Sequence, residues 1–288
     1  MSQYTFFVDS SCDTPVEYLN EWGVKCIDLT FRFVDSTEEY ANSDIDITEF
    51  YAQLRAGRDA KTSAANSETF KMNFEEELKA GRDVFYIAFS SGLSTTCNSA
   101  LLAARELGET YPDRKIIIVD SLAASTGYGM LVYLTVQKLK EGATLEEAAE
   151  YAESIRLTMS HWFTVDDLNF LKRGGRVSSV AAFVGTAIGI KPVLHVTDEG
   201  KLVSCFNVRG RKKAIRALAD KFGETAKSIE EGPIYICHGD CIADATALAD
   251  IIKADYGRDV EIITYTGPVI ASHSGPGTLA LFFVANER

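Results

Sequence analysis

The sequence has few prolines and no long uninterrupted run of apolar residues. Its 288 residues include only 6 prolines, while hydrophobic residues make up 46% of the chain. That composition predicts a packed globular protein and not a disordered one. The longest apolar runs fall far short of the ~20 residues that span a bilayer, so we expect no membrane span. The sequence starts without a basic segment or a small-residue cleavage site, so we expect no secretory signal and a cytoplasmic location.

Basic residues are also in short supply. The chain has 29 Lys and Arg against 41 Asp and Glu, which gives a formal net charge of −12. An acidic protein is repelled by polyanions, so we expect no nucleic-acid partner and no anionic membrane as the main partner. This balance leaves room for transient contact with a membrane surface.

Sequence patterns for metal binding and catalysis are missing as well. The six cysteines are scattered, and the segment Cys237–Cys241 around His238 lacks a second ligand pair at zinc spacing. No P-loop indicates a nucleotide-binding enzyme, and no Gly-x-Ser-x-Gly indicates an esterase. We therefore expect no metal, no cofactor and a binding protein instead of an enzyme.

One stretch combines a buried strand, a hydroxyl-rich turn and a helix. Val84–Phe89 is an apolar run typical of a parallel strand, and the residues after Thr96 have the apolar spacing of a helix. The turn between them, Ser90–Thr96, contains five hydroxyls, one glycine and no Lys or Arg. Amides and hydroxyls at the positive end of a helix favour an anion, here a carboxylate or a single phosphate. Hydroxyls before a helix are also ordinary N-cap residues.

The order of elements predicts an α/β fold in two domains. Strands and helices alternate through residues 1–158, which predicts an N-terminal α/β domain with a parallel sheet and its ligand edge at the polar turns. In residues 159–288, the hairpin signal Thr197–Gly200 predicts a C-terminal α+β domain with a mixed sheet. Val24–Val34 reads as one strand, and residues 179–189 as a helix of small residues.

Three further segments are polar in ways that the fold does not require. Lys61–Ser67 reads as a second hydroxyl-rich turn, Leu171–Ser178 is basic around two glycines, and Thr266–Gly277 reads as a glycine- and proline-rich loop around His273. Each has a plain structural interpretation, as a helix cap, a solvated helix end or a structural loop. Their combination with Ser90–Thr96 favours a binding site.

At these segments the sequence resembles the DegV family of bacterial fatty-acid-binding proteins, over essentially its whole length. The matching segments are Val8–Asp13, Lys61–Ser63, Ser90–Ser94, Phe170–Ser178 and Gly267–Gly277. The resemblance implies a DegV-like fold that holds one long-chain fatty acid in an apolar tunnel, with its carboxylate between the two domains. It also implies a carrier subunit of fatty acid kinase in phospholipid metabolism, whose ATP-dependent kinase partner phosphorylates the carboxylate to acyl phosphate.

The resemblance also implies roles for particular residues. Thr62 and Ser94 match the hydroxyls that bind the carboxylate. A second tier around the head group comprises Ser63, Ser91, Gly92, His273, Arg173 and Arg176. Contact with the kinase partner is implied for Arg209 and Arg211. The sequence departs from the family pattern beside both hydroxyls, at Ala64-Ala65 and at Thr95-Thr96.

Two points complete the prediction. Phe163, Phe183, Val193 and the small-residue helix are candidates to line the tunnel, although for any one of them a place in the ordinary core is the commoner role. The alternative function is a serine esterase or hydrolase that acts on acyl substrates through Ser94 and His273, but no acidic third member stands out near the histidine.

Overall fold

The computed structural model describes residues 3–177 and 189–288. Ser178, Phe183 and the predicted small-residue helix up to residue 188 lie outside the described residues.

Strands and helices alternate along most of the described chain. The strands are β1 (Tyr4–Asp9), β2 (Val24–Ile27), β3 (Thr30–Phe33), β4 (Tyr40–Ala41), β5 (Ala60–Ser63), β6 (Asp83–Ala88), β7 (Ile116–Asp120), β8 (Met159–Thr164), β9 (Ile190–Val196), β10 (Leu202–Arg209), β11 (Ile234–His238), β12 (Ile262–Tyr265) and β13 (Leu279–Val284). The α-helices are α1 (Val16–Trp22), α2 (Ile47–Arg55), α3 (Ser67–Lys79), α4 (Thr96–Thr110), α5 (Ser125–Lys140), α6 (Leu145–Ile155), α7 (Leu168–Gly174), α8 (Arg211–Thr225), α9 (Ile242–Tyr256) and α10 (Pro268–Ser274).

The first sheet is parallel, with the strand order β2-β1-β6-β7. Its central strands are almost fully buried, which explains why both are continuous apolar runs and not alternating ones. The carboxyl ends of β1, β6 and β7 meet at one edge. Asp9 and the Ser90–Thr96 turn therefore lie next to each other, as parallel pairing predicts.

The second sheet is mixed, with the strand order β10-β9-β8-β13-β11-β12. The predicted hairpin is confirmed, because β9 and β10 pair antiparallel. Alternate residues of β8 and β13 face one side in register, with Phe282 opposite His161 and Ala280 opposite Phe163. The other side packs against α8 and α9 in a separate apolar cluster.

A third, small sheet of order β4-β3-β5 corrects two predictions. Val24–Val34 is not one strand, since β2 joins the parallel sheet and β3 joins the small one. The predicted turn Lys61–Ser67 is wrong in its first half, because Thr62 pairs with Phe31 across β5 and β3. The pairing follows from the aromatic side of β3, which buries Phe31 against Phe50 with their ring centroids 5.0 Å apart.

The predicted loop Thr266–Gly277 contains a helix, α10. Pro268 occupies the first helical position, where its missing N–H costs nothing, and Gly275 ends the helix with a φ of +76°. The proline and glycine therefore mark the two ends of a seven-residue helix. The histidine between them, His273, lies in its last turn.

The predicted fold class is confirmed: an α/β protein with a parallel sheet in its first part and a mixed sheet in its second part. The division between residues 1–158 and 159–288 stays a prediction. Within residues 3–177 and 189–288, no helix combines the length and apolarity that crossing a membrane requires.

Candidate functional site

A cavity of about 380 Å³ lies where the parallel sheet, the mixed sheet and α10 meet. Its volume falls within the range of small-molecule sites. Apolar side chains make up much of its wall, among them Leu29, Phe89, Leu93, Phe163, Leu171, Val196, Val269, Ile270 and Phe282. Of the predicted tunnel residues, Phe163 lines this cavity, whereas Val193 belongs to the cluster on the other side of the mixed sheet.

One end of the cavity collects most of the polar residues that the sequence singled out. Those that line it are Thr62, Ser63, Ser91, Ser94, Arg176 and His273. Gly92 and Arg173 are not among its lining residues. Residues from the β5 strand, the turn before α4, the end of α7 and the last turn of α10 are thus brought to one place.

Thr62 and His273 form a direct pair across this end. The Thr62 Oγ1 lies 2.8 Å from the His273 Nε2. The other ring nitrogen, Nδ1, is buried and has no hydrogen-bond partner among the described residues. A Cβ placed on Gly174 would lie 2.4 Å from that Nδ1, so only glycine lets the end of α7 pack against the ring.

Ser94 lies directly before α4. Its Oγ is 2.8 Å from the Thr96 Oγ1 and accepts a hydrogen bond from the Thr96 N–H at 3.2 Å. The hydroxyl thus satisfies one of the unpaired amides of the helix start. If the Thr96 hydroxyl donates to it, the proton of Ser94 remains available for a ligand. Ser91 also lines the cavity, but its N–H donates to the Asp120 Oδ1.

The two arginines of the basic segment point to different places. The Arg176 Nε donates to the carbonyl of Leu93 at 3.3 Å, which brings a guanidinium beside the Ser90–Thr96 turn. Arg173 instead pairs with Asp59 at 2.9 Å and lies over the ring of Phe170. The turn contains no cation of its own, but Arg176 supplies one from the segment that follows α7.

A loop of the second half packs on the turn and explains the position of Gly92. The Ser90 Oγ donates to the carbonyl of Gly200 at 2.8 Å. A Cβ on Gly92 would lie 2.4 Å from the carbonyl oxygen of Glu199, so a side chain there would push the two apart. Gly92 therefore allows close approach of the backbones and is not a ligand group.

The two basic residues predicted to contact a kinase partner, Arg209 and Arg211, lie in different environments. Arg211 pairs with Asp244 at 2.8 Å and approaches Asp166 at 3.6 Å, and it is largely buried. Arg209 is exposed, and within the described part of the chain no ion pair includes it. Of these two arginines, Arg209 is the one that presents an exposed cation without an ion-pair partner among the described residues.

The cavity has further polar groups that the sequence analysis did not single out. Ser125, Cys237 and Thr266 also line its wall, and Thr266 directly precedes α10. Nothing in their local sequence indicates a site, since Ser125 begins an ordinary helix, Cys237 lies within a strand and Thr266 follows one. Among the described residues, no group of three or more His, Cys, Asp or Glu is arranged to hold a metal ion.

All four histidines of the chain are held neutral by burial. Desolvation lowers the pKa of His273 and His195 to about 4, with Arg176 adding to the effect at His273. Burial also lowers the pKa of His161 and His238. At neutral pH the polar end of the cavity therefore contains a neutral imidazole and one guanidinium.

The lowered pKa of His273 predicts that the folded protein loses stability in acid. The folded pKa of His273, about 4, lies below the unfolded value of 6.5, so the stability that its burial allows is present above pH 6.5 and is lost as pH falls toward 4. In NMR titrations of the imidazole resonances, we expect neither His273 nor His195 to gain a proton between about pH 7 and 5. The variant His273→Gln should lose less stability over the same range. A His273 ring that titrates near its ordinary value would contradict this picture of the site.

Comparisons with known proteins agree with the fold. A family model described as an uncharacterised protein of the DegV family matches residues 5–286. A DegV domain-containing protein of Clostridium perfringens is 41% identical over 290 residues, which cover 100% of this chain and 99% of the relative. A protein of Thermotoga maritima named fatty acid-binding protein is 32% identical over 287 residues, covering 98% of this chain and 97% of the relative.

A solved structure shows the same architecture. A DegV family protein from Thermus thermophilus, described for its fatty acid binding, is 33% identical and superposes with a TM-score of 0.87 over 98% of this chain and 99% of that one. The resemblance that the motifs indicated is thus confirmed along the whole length. The chain belongs to the DegV family.

Proposed function

We propose that this protein binds one long-chain fatty acid in the cavity, with the carboxylate between Thr62 and Ser94 and the chain along the apolar wall. The observation that carries the proposal is that the two hydroxyls at the polar end, those of Thr62 and Ser94, each have a hydrogen-bond partner in the protein. Thr62 is held by His273 and Ser94 by the start of α4, so each can keep its own proton for an acceptor. The relatives named for fatty acid binding support the same ligand class.

The protonation of His273 fits a carboxylate. A neutral imidazole with its proton on Nε2 donates to the Thr62 Oγ1, and the Thr62 hydroxyl then donates to the ligand. Ionised carboxylates only accept hydrogen bonds, so the ligand selects this tautomer. Arg176 adds a positive charge from the solvent side, which favours the ionised head group.

The chain of the ligand supplies most of the affinity. Burial of each methylene contributes ~0.8 kcal/mol, so ~14 methylenes give roughly 11 kcal/mol before the cost of association. Hydrogen bonds to the carboxylate replace bonds to water, and each adds only about 1.5–3 kcal/mol. The hydroxyls therefore orient the ligand, and the apolar wall retains it.

We expect the protein purified from a bacterial host to contain a co-purifying fatty acid, detected by extraction and mass spectrometry. The double variant Thr62→Val with Ser94→Ala should bind a delipidated long-chain fatty acid at least about a hundredfold more weakly, since two hydrogen bonds to a charged group are lost. Calorimetry or displacement of a fluorescent fatty acid measures the dissociation constant.

A matched control is Ser63→Ala. Ser63 lines the same cavity, but its hydroxyl donates to the Glu39 carboxylate at the surface, so its removal should leave affinity unchanged. Thermal unfolding of each variant separates lost binding from the loss of the hydrogen bond between the Thr96 N–H and Ser94, which costs about 1 kcal/mol. Unchanged affinity in the double variant would move the carboxylate elsewhere.

The two arginines provide a second test of the head-group position. Arg176→Gln should weaken binding about two- to fivefold, the range expected for a solvent-exposed charge pair. Arg173→Gln, which removes an equal charge from the same helix end but pairs with Asp59 outside the cavity, should not. Equal effects of the two variants would indicate a diffuse electrostatic contribution without a contact.

The same geometry is unfavourable to the alternative of a serine esterase. The His273 Nε2 pairs with Thr62, and the Ser94 hydroxyl pairs with Thr96, so no hydrogen bond joins the required nucleophile and base. Turnover of an acyl ester that disappears in His273→Ala would favour the esterase instead.

The proposal extends to a partner: an ATP-dependent kinase subunit that phosphorylates the bound carboxylate. The support is the exposed and unpaired Arg209 in an otherwise acidic protein, together with the implied role of that position. We expect Arg209→Ala to lower the rate of acyl phosphate formation about tenfold with an unchanged dissociation constant for the fatty acid. Lys140→Ala, which removes an exposed cation from the end of α5, is the control. Equal rates for wild type and Arg209→Ala would remove Arg209 from the contact.

A further inference from the structure

Part of the cavity wall near the start of α10 is polar, although an alkyl chain forms no hydrogen bonds. Ser125 begins α5, Cys237 lies on β11, and Thr266 lies between β12 and α10. All three line the cavity, and they are only 5%, 1% and 0% exposed. Burying hydroxyls and a thiol against hydrocarbon costs free energy unless each finds a hydrogen-bond partner.

These three side chains form a connected chain that ends on a carboxylate. The Ser125 hydroxyl donates to the Asp13 Oδ2 at 2.6 Å. The Cys237 Sγ lies 3.2 Å from the Ser125 Oγ and 3.3 Å from the Thr266 Oγ1. Burial raises the pKa of the Cys237 thiol to about 12, so the thiol keeps its proton at neutral pH.

The protons available on these side chains determine which group donates in each of the hydrogen bonds. Ser125 has one hydroxyl proton, and the carboxylate of Asp13 is the stronger acceptor. The thiol of Cys237 then donates to Ser125, and the hydroxyl of Thr266 donates to the thiol. Thr266 is the first member of the chain, and no group within residues 3–177 and 189–288 donates to its Oγ1. A buried acceptor on the cavity wall is thus left open.

This open acceptor lies apart from the head-group end. Thr266 precedes α10, whereas His273 is in its last turn. The helical rise from Pro268 to His273 alone is roughly 7.5 Å. A ligand whose carboxylate lies between Thr62 and Ser94 would therefore pass Thr266 with its hydrocarbon chain.

We propose that Thr266 accepts a hydrogen bond from a hydroxyl group on the hydrocarbon chain of the ligand, so that hydroxylated long-chain fatty acids are preferred ligands. The inference rests on the proposed function and specifies its ligand class. A hydroxyl donates to Thr266 and completes the chain toward Asp13. A keto oxygen at the same carbon only accepts and leaves Thr266 without a donor.

The test compares ligands that differ by one hydrogen-bonding property. Dissociation constants are measured for octadecanoic acid, its mid-chain hydroxy isomers and the matching oxo acids, with wild type and Thr266→Val. Burial raises the pKa of Asp13 to about 7, so assays at about pH 8.5 keep this carboxylate ionised. The oxo acids are the proper comparison, because hydroxyl and keto groups both lose water on binding.

We expect at least one hydroxy isomer to bind wild type about three- to tenfold more tightly than its oxo counterpart. In Thr266→Val this ratio should fall to about one, with the affinity for octadecanoic acid unchanged within about twofold. The control Thr278→Val removes another buried hydroxyl that lines the cavity but donates to the Gly275 carbonyl, and it should keep the ratio.

If Thr266→Val does not fold, a second variant provides the same test. Ser125→Gly interrupts the chain at its middle, and Ser125 already has a φ of +53°, which glycine adopts without strain. It should also lower the hydroxy-to-oxo ratio. A wild-type ratio of one at every position, or a ratio that survives Thr266→Val, would overturn the inference. If no fatty acid bound wild type at all, the proposed function itself would fail.

Discussion

The candidate site depends on the hydrogen bonds that the buried carboxylate of Asp9 accepts. This carboxylate lies at the end of β1 and is 0% exposed, and burial raises its pKa. In place of a cation, it accepts hydrogen bonds from the Tyr86 hydroxyl at 2.6 Å, the Phe89 N–H at 3.0 Å and the Ser11 N–H at 3.1 Å. These bonds tie the end of β1 to the end of β6. Because Ser90–Thr96 leaves β6 at Phe89, Asp9 determines where that turn begins.

The site is then completed by contacts between the parallel and mixed sheets. Gly92 and Gly174 matter because each lets a backbone approach a group that a side chain would block, the carbonyl of Glu199 in one case and the ring of His273 in the other. The polar end exists only when β5, α7 and α10 are packed together. Loss of that packing would separate Thr62 from His273 without altering either residue.

Continuous apolar runs were enough to predict the parallel sheet, because burial on both faces leaves a direct trace in the sequence. The hairpin was predicted from the turn residues Thr197–Gly200 instead. Neither signal could predict that Thr62 meets His273, since the pair is 211 positions apart and depends on a small sheet too short to show alternation. The helix α10 was missed because Pro268 and Gly275 look like breakers, although they mark the ends of a helix.

The separation of Arg173 from Arg176 shows why site residues need a backbone as well as a motif. Three positions apart on a continuing helix, the two side chains would share a face. Gly175 ends α7 with a φ of +69°, which turns the chain and sends Arg176 toward Leu93, while Arg173 stays on the helix beside Asp59. The motif contains both cations, and the left-handed glycine between them decides which one lines the cavity. The charge at the polar end of the cavity is therefore controlled by one backbone angle.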